Sequence, residues 1–527
     1  MPYRSPFPDV VIPETPFTQF LFERADQWPD RPALIDGPSG RTLTYRQLTD
    51  AIRRVAVSLA QRGFQKGDVF AIYSPNLPEY AVAFHAVASL GGVVTTTNPL
   101  YTVGEFTQQL RHSGAQYILT IPPFMANAQQ AAAEAGGIQE IFVFGEAEGA
   151  TPFASLLQSD GPLPDVSINP KEDVIVLPYS SGTTGLPKGV MLTHYNLVAN
   201  VAQMDGIDVT SGVELRPDDV VLAVLPFFHI YGMVLIMSFA LYRGTTLVTM
   251  PRFDMEQCLG LMQKHRVSYA YLVPPIVLGL AKHPLVDKFD LSSLRAILSG
   301  AAPLGDEIED AVKQRLGSLV TQGYGMTEAS PVTHFLAVRP EHDRKPGSVG
   351  PVIPNTECKV VDLATGEELG PRQEGELWIR GPQIMKGYLN NPTATAQTVD
   401  AEGWLHTGDI GYADEDGYFW IVDRAKELIK YKGLQVAPAE LEAVLVSHPA
   451  VADAAVIGVP DEEAGELPKA FVVLKGQATA EEIMAYVAGQ VAPYKKIRFV
   501  EFIPQIPKSA TGKILRRVLK EGETARG

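Results

Sequence analysis

Apolar residues along the chain gather in short runs that stop at turn-forming residues. VIVLP at 174–178, VVLAVLP at 220–226 and RAILSG at 295–300 each end at Pro, Gly or Ser and lead into helical patterns. Runs of this length read as strands buried on both faces. Their alternation with helices predicts parallel sheets with ligands held at the strand ends. Beyond Glu374 the period changes to two: GELWIRG at 375–381 and GYFWIVDR at 417–424 alternate, with Asp416-Gly417 marking a turn. That pattern predicts an antiparallel, barrel-like unit. After Arg424, KELIKYKGLQVAP precedes a helix that opens at Pro438 and runs through AELEAVLVSH. Strand-like 455–459, 470–475 and 498–504, with the helical stretch TAEEIMAYVAGQV, complete a smaller unit of about 100 residues. The expected fold class is α/β: a large N-terminal domain of doubly wound sheets with a β-barrel-like subdomain over residues 1–424, and a small α+β domain over 425–527.

One segment, 220–242, is apolar enough to resemble a membrane span, with His229 its only ionisable group apart from two tyrosines. Pro226 and the polar centre Phe228-His229-Ile230-Tyr231 favour a buried strand, loop and helix instead. Stable membrane insertion is therefore not expected. The chain has 527 residues, more than one hydrophobic core usually supports. Its 44 basic and 60 acidic residues leave a net charge of −16, which repels nucleic acid. Cys258 and Cys358 are too few for a disulfide framework and read as reduced, buried thiols. The N-terminal MPYRSPFPDVVIPETPF lacks the apolar core of a signal peptide, so a cytoplasmic protein is expected.

Four motifs carry candidate chemistry. YSSGTTGLPKGV at 179–190 follows a strand with hydroxyls, glycines and a lysine. Backbone N–H groups, hydroxyls and Lys188 together suit phosphate, although the Gly-Lys-Ser/Thr ending of a Walker loop is missing. QGYGMTE at 322–328 sets Tyr324 between glycines, open to stack on a purine, with Thr327 and Glu328 available for phosphate and a divalent cation. GWLHTGDIG at 403–411 holds Asp409 in a turn, where a carboxylate can accept both hydroxyls of a ribose. PKSATGKILRR places Lys513 in a Gly-Lys turn near the end of an acidic chain. Taken singly, each fits an ordinary loop, a packed tyrosine, a structural turn or a solvated lysine.

In this order, and with LPFFHIYGM, SGAAPLG and DRAKELIKYKGLQVAP between them, the motifs resemble the adenylate-forming superfamily of acyl-CoA synthetases, firefly-type luciferases and adenylation domains. The local texture is similar to its 4-coumarate:CoA ligase and fatty-acyl branch. The resemblance implies an acid–thiol ligase that uses ATP, Mg2+ and coenzyme A, forms an acyl-adenylate, and releases AMP and pyrophosphate. It implies that Ser180, Ser181, Gly182, Thr183, Thr184 and Lys188 hold the departing phosphates, and that Thr184 and Glu328 ligate magnesium. Gln322, Gly323, Tyr324 and Thr327 would surround the adenylate, Asp409 and Arg424 its ribose. Lys513 would bridge carboxylate and α-phosphate. The C-terminal domain would then rotate about Lys426, bringing Lys430 and Gln435 to the adenylate and Lys432 and Gly433 to the pantetheine route. Arg252 matches a CoA-contacting position at which lysine is the usual residue.

The implied acyl pocket comprises His229, Tyr231, Gly232, Leu298, Gly300, Ala301, Gly323, Gly325, Pro331 and Val332, its small residues leaving room for an apolar ligand. His229 reads equally as a satisfied core histidine. Leu298 stands where hydroxycinnamate ligases often carry lysine, and Ser330 where glycine is common. The acid therefore stays open between a 4-coumarate-like aryl acid and a medium- or long-chain fatty acid, in a monomer or homodimer. A luciferase-like monooxygenase and a carrier-protein-loading enzyme share the adenylation motifs and stand as alternatives.

Overall fold

The computed structural model describes residues 1–180, 187–208, 214–302, 304–337, 345–431, 434–461, 464–509 and 512–524. Ser181, Gly182, Thr183, Thr184, Lys432 and Gly433 lie outside the described residues, as does the side chain of Gln435.

Two eight-stranded sheets and two five-stranded sheets carry the architecture. In the first large sheet, Val174–Ser180 runs parallel to Val93–Thr96, which pairs with Val69–Tyr73. Lys188–Thr193 returns antiparallel beside it and sets Lys188 opposite Ser180. The second has a parallel core in which Val220–Ala223, Tyr269–Leu272, Ala296–Ser299 and Leu319–Gly325 lie side by side. Of these, Val174–Ser180, Val220–Ala223 and Ala296–Ser299 are the strands foreseen from continuous apolar runs, and their apolar residues are almost all buried, as a parallel sheet covered on both faces requires.

Between the two sheets run helices apolar on every side. Nearly all of Pro78–Ser89 is buried, as is the whole of Gly232–Phe239. The apolar run 220–242 is a strand, a loop and a buried helix, and no helix among the described residues is long and apolar enough to cross a membrane. Cys258 and Cys358 are both buried and free.

The unit with period two is a five-stranded antiparallel sheet, in which Glu357–Val361, Gly375–Arg380, Leu405–Ala413 and Phe419–Arg424 are successive neighbours. Tyr3–Arg4 adds an edge strand from the start of the chain, which the alternation did not disclose. From Ile429 onward the chain builds its own core around Ile429, Leu441, Val456, Val472 and Ile483. Pro438–Ser447 and Ala480–Ala488 pack there against the strands Val451–Asp461 and Gly465–Leu474.

Candidate functional site

Strand ends of both large sheets and the antiparallel sheet meet at one place. Side chains near the ends of the first sheet's strands shape the loop that carries His229. The Asn76 amide donates to the carbonyls of Ala223 (2.9 Å) and Leu225 (2.8 Å) and accepts from the Phe227 N–H (2.7 Å), while the Thr96 hydroxyl donates to the Phe228 carbonyl (2.8 Å). Each bond satisfies backbone that a buried loop would otherwise leave unpaired. His229 is thereby fixed with Nδ1 toward the Tyr231 N–H at 3.3 Å. Burial, and then the charge of Lys513, push its pKa down to about 4, so the ring is neutral at physiological pH.

Glu328 gathers two hydroxyls on one carboxylate oxygen. It is buried, and its Oε1 accepts from the Tyr388 hydroxyl at 2.8 Å and the Ser180 hydroxyl at 3.1 Å. The Lys188 ammonium lies 4.7 Å from the centre of the Tyr388 ring. Tyr388 is held in turn by its backbone, since Gly387–Tyr388 pairs antiparallel with Val190 and Met191. Ser180, Lys188, Glu328 and Tyr388 thus form one cluster where Val174–Ser180 ends and Lys188–Thr193 begins.

A second cluster is built on Asp409. The Tyr324 hydroxyl donates to its Oδ2 at 2.6 Å, and Arg424, its cross-strand neighbour, places Nε 3.1 Å from Oδ1. Each carboxylate oxygen keeps a further lone pair, enough for the two hydroxyls of a ribose. Burial and the Asp409 charge raise the Tyr324 pKa well above its ordinary value, so the ring stays a neutral donor. The Gln322 amide is engaged within the protein: it brackets the N–H and carbonyl of Leu304 at 3.1 and 3.0 Å and donates to Glu309 at 2.6 Å. Thr327 stands half-buried in the next turn.

Lys513 reaches this centre from the C-terminal domain. Its neighbour Gly512 packs against Val273 and Pro275, at the end of a strand of the second sheet. Burial first, then the adjacent Arg424 guanidinium, lower the Lys513 pKa to about 8, while Asp409 and Glu427 oppose that shift.

On the acyl side, Tyr231 and Leu298 are buried, and the Tyr231 hydroxyl donates to the Leu298 carbonyl at 3.1 Å. Val332 is clamped by Asn200, whose amide donates to its carbonyl (2.9 Å) and accepts from its N–H (3.2 Å). Two glycines serve close backbone packing: a Cβ on Gly232 would lie 2.1 Å from the Pro226 carbonyl oxygen, and one on Gly325 2.1 Å from that of Pro331. Gly300 and Pro331 are buried, Gly323 is half-buried, and Ala301 is exposed with a φ of 70°.

Residues 21–389 match the AMP-binding enzyme family, and 440–513 match the AMP-binding enzyme C-terminal domain. The chain belongs to the AMP-binding enzyme family. It is an acid–thiol ligase, an AMP-forming acyl-CoA synthetase that takes acid, ATP and CoA to acyl-CoA through an acyl-adenylate, as the motifs implied. It is 48% identical to 4-coumarate–CoA ligase 1 of Solanum tuberosum, over 98% of this chain and 96% of that one. Among solved structures it is similar to the anthranilate CoA ligase AuaEII in complex with anthranoyl-AMP (TM-score 0.88, 28% identity, 97% and 98% of the two chains). A second similar structure is ATP-bound MatB from Rhodopseudomonas palustris (TM-score 0.86, 29% identity, 96% and 98%).

In the synthetase, Arg252, Lys426 and Lys430 are exposed, and Lys430 pairs with Gln435 in a hairpin of the C-terminal sheet. Lys426 sits in the turn that follows Arg424, where the N–H groups of Glu427 and Leu428 bond the Arg424 carbonyl at 2.9 and 3.2 Å. Sequence reasoning missed Tyr388. Its segment, MKGYLNN, has no chemistry-bearing pattern, and Glu328 lies 60 positions away.

Proposed function

We propose that the synthetase activates arylpropenoic acids of the 4-coumarate class, and that Lys513 and then Lys432 serve the two half-reactions in turn. The observation that carries this reading is the seat of Lys513: a half-buried lysine whose neighbour Gly512 lies close to Val273 and Pro275 at a strand end of the large domain, with Arg424, Asp409 and His229 within reach of its charge. An ammonium so placed draws together two anions that repel, the substrate carboxylate and the α-phosphate, and its charge counts most where water is excluded. Attack of the carboxylate on the α-phosphate then needs no protein nucleophile, only positioning. Arg424 and Asp409 take the ribose, while Ser180 and Lys188 take the departing phosphates with the loop between them.

Glu328 fits a magnesium ion. Among the described residues no cluster of three His, Cys, Asp or Glu side chains could cage a metal, and one carboxylate beside hydroxyls suits an ion that keeps phosphate oxygens and water as its other ligands. Bound there, the ion would neutralise pyrophosphate charge. For thioester formation the domain swings about Lys426, so that Lys430 and Gln435 replace Lys513 at the adenylate and Lys432, Gly433 and Arg252 receive CoA. The two free buried thiols fit a reducing, cytoplasmic setting.

The choice of acid rests on the likeness to 4-coumarate–CoA ligases and on the residues around Leu298. Tyr231 and Leu298 are buried side by side, the Tyr231 hydroxyl already bound to the Leu298 carbonyl, and an apolar pair of this kind suits an aryl ring better than a charged or strongly polar group. The test is CoA-dependent AMP formation across 4-coumarate, cinnamate, benzoate and C4–C18 fatty acids. The expected order puts the cinnamates at least tenfold above any fatty acid in kcat/KM, and a fatty acid at the head of the panel overturns the assignment.

A further inference from the structure

The residue before Arg424 faces the other way. Successive side chains of a strand point to opposite faces, so while Arg424 turns toward Asp409 and the nucleotide site, Asp423 turns toward the C-terminal domain. Asp423 is buried at 7% exposure. Its Oδ1 accepts the Arg424 N–H at 2.7 Å, and its Oδ2 accepts the N–H of Ala439 at 2.9 Å. Ala439 is the second residue of the helix Pro438–Ser447. That helix begins at Ala437, whose side chain makes no capping bond. The first turn of an α-helix leaves N–H groups without partners inside the helix. Here one of them is satisfied by a carboxylate from the far side of the hinge.

The same helix is tied to the loop of Lys513. Arg516, three residues beyond the lysine, makes a two-pronged ion pair with Glu442 at 2.7 and 2.8 Å, and Glu442 also accepts the Val456 N–H at 2.8 Å. The Arg516 charge bears on Asp423 as well. A contiguous path therefore runs from the last strand of the large domain through Asp423, the helix Pro438–Ser447, Glu442 and Arg516 to Lys513.

We propose that Asp423 is a positioning residue: by capping the helix Pro438–Ser447 across the hinge, it holds the C-terminal domain in the orientation that delivers Lys513 to the site. The inference rests on the alternating-domain reading above. Rotation of the domain about Lys426 carries Ala439 away from Asp423, so the cap is made in the adenylating arrangement and released for thioester formation. Its strength then biases the balance between the two arrangements without touching any reactant.

Two substitutions remove the same bond from its two ends. Asp423→Ala deletes the acceptor. Ala439→Pro deletes the donor at a position in the first helical turn that tolerates proline, and this chain already opens another helix with Pro274-Pro275. Asp423→Asn keeps a capping oxygen. Single-turnover formation of acyl-AMP without CoA, and of thioester from supplied acyl-AMP, are measured on the full chain with the best acid of the panel, alongside Lys513→Ala. Loss of one cap predicts a roughly fivefold slower adenylation in both Asp423→Ala and Ala439→Pro, thioester formation within about twofold of wild type, and recovery of most of the rate in Asp423→Asn. If Lys513→Ala separates the half-reactions and the two cap variants leave adenylation unchanged or slow both steps equally, Asp423 is not the latch and the alternating reading stands. If Lys513→Ala itself slows both steps equally, the alternating reading falls and the latch with it.

Discussion

Lys513 titrates where an enzyme is ordinarily assayed, and the direction of its shift makes a sharp prediction. Burial and Arg424 bring its pKa from 10.5 to about 8. The ammonium form is the one that can bridge two anions, so adenylation by the free enzyme should be fully present below pH 7 and lost as pH rises through about 8. At pH 9 about a tenth of the lysine remains protonated, and kcat/KM should fall roughly tenfold per unit beyond that. An arginine at this position keeps its charge throughout, so Lys513→Arg, though slower if its fork fits the site poorly, should give a flat profile to about pH 10. The assay is acid-dependent exchange of pyrophosphate into ATP with CoA left out, because the CoA thiol would titrate in the same range. His229, neutral above about pH 4, contributes nothing across this window. A wild-type profile flat to pH 9.5, or an equal decline in Lys513→Arg, refutes the assignment of the alkaline limb to Lys513.

Three further outcomes are expected. Tyr388→Phe removes one of the two hydroxyls on Glu328 Oε1 while keeping the ring under Lys188. A bond to a charged acceptor is worth about 1.5 kcal/mol at the lower end, so the KM for MgATP should rise about tenfold with the acid's KM little changed, measured by initial rates and by calorimetric titration of MgATP. Leu298→Lys should favour 4-coumarate over cinnamate by a few-fold to about tenfold, read as the ratio of their kcat/KM values, because it adds a donor to an apolar wall. Lys432→Ala should slow thioester formation and spare adenylation, and Lys426→Pro, which freezes the hinge φ, should let acyl-AMP form while its transfer to CoA falls; quenched single turnovers separate the two steps.

How far the sequence alone reaches can be traced through particular residues. The parallel strands were legible because burial on both faces writes an unbroken apolar run, as at 174–178 and 295–300, and the antiparallel sheet because exposure of one face writes an alternation, as at 417–424. Lys188, Glu328, Asp409, Arg424 and Lys513 were legible as candidates because residue types suited to phosphate, ribose and carboxylate stand out in a loop, and because the motifs occur in a telling order. Local pattern carries no distance between remote positions, and at that limit the reading stopped. Tyr388 meets Glu328, and Ser180 meets the same oxygen, only because three elements converge. Gln322, read from its motif as a nucleotide contact, gives its amide to Leu304 and Glu309. At Gly232 and Gly325, read as room for a ligand, an added Cβ would lie 2.1 Å from a carbonyl oxygen that the folded chain brings near. The cap of Pro438–Ser447 comes from Asp423 rather than from the residue beside it. Sequence by itself determined which elements form and which side chains could do chemistry, since propensity, burial period and functional-group type are properties of a few neighbouring residues. Tertiary structure decided which of those groups meet and which are already engaged, since hydrogen bonds and steric limits act over a few ångströms between residues that the chain keeps far apart.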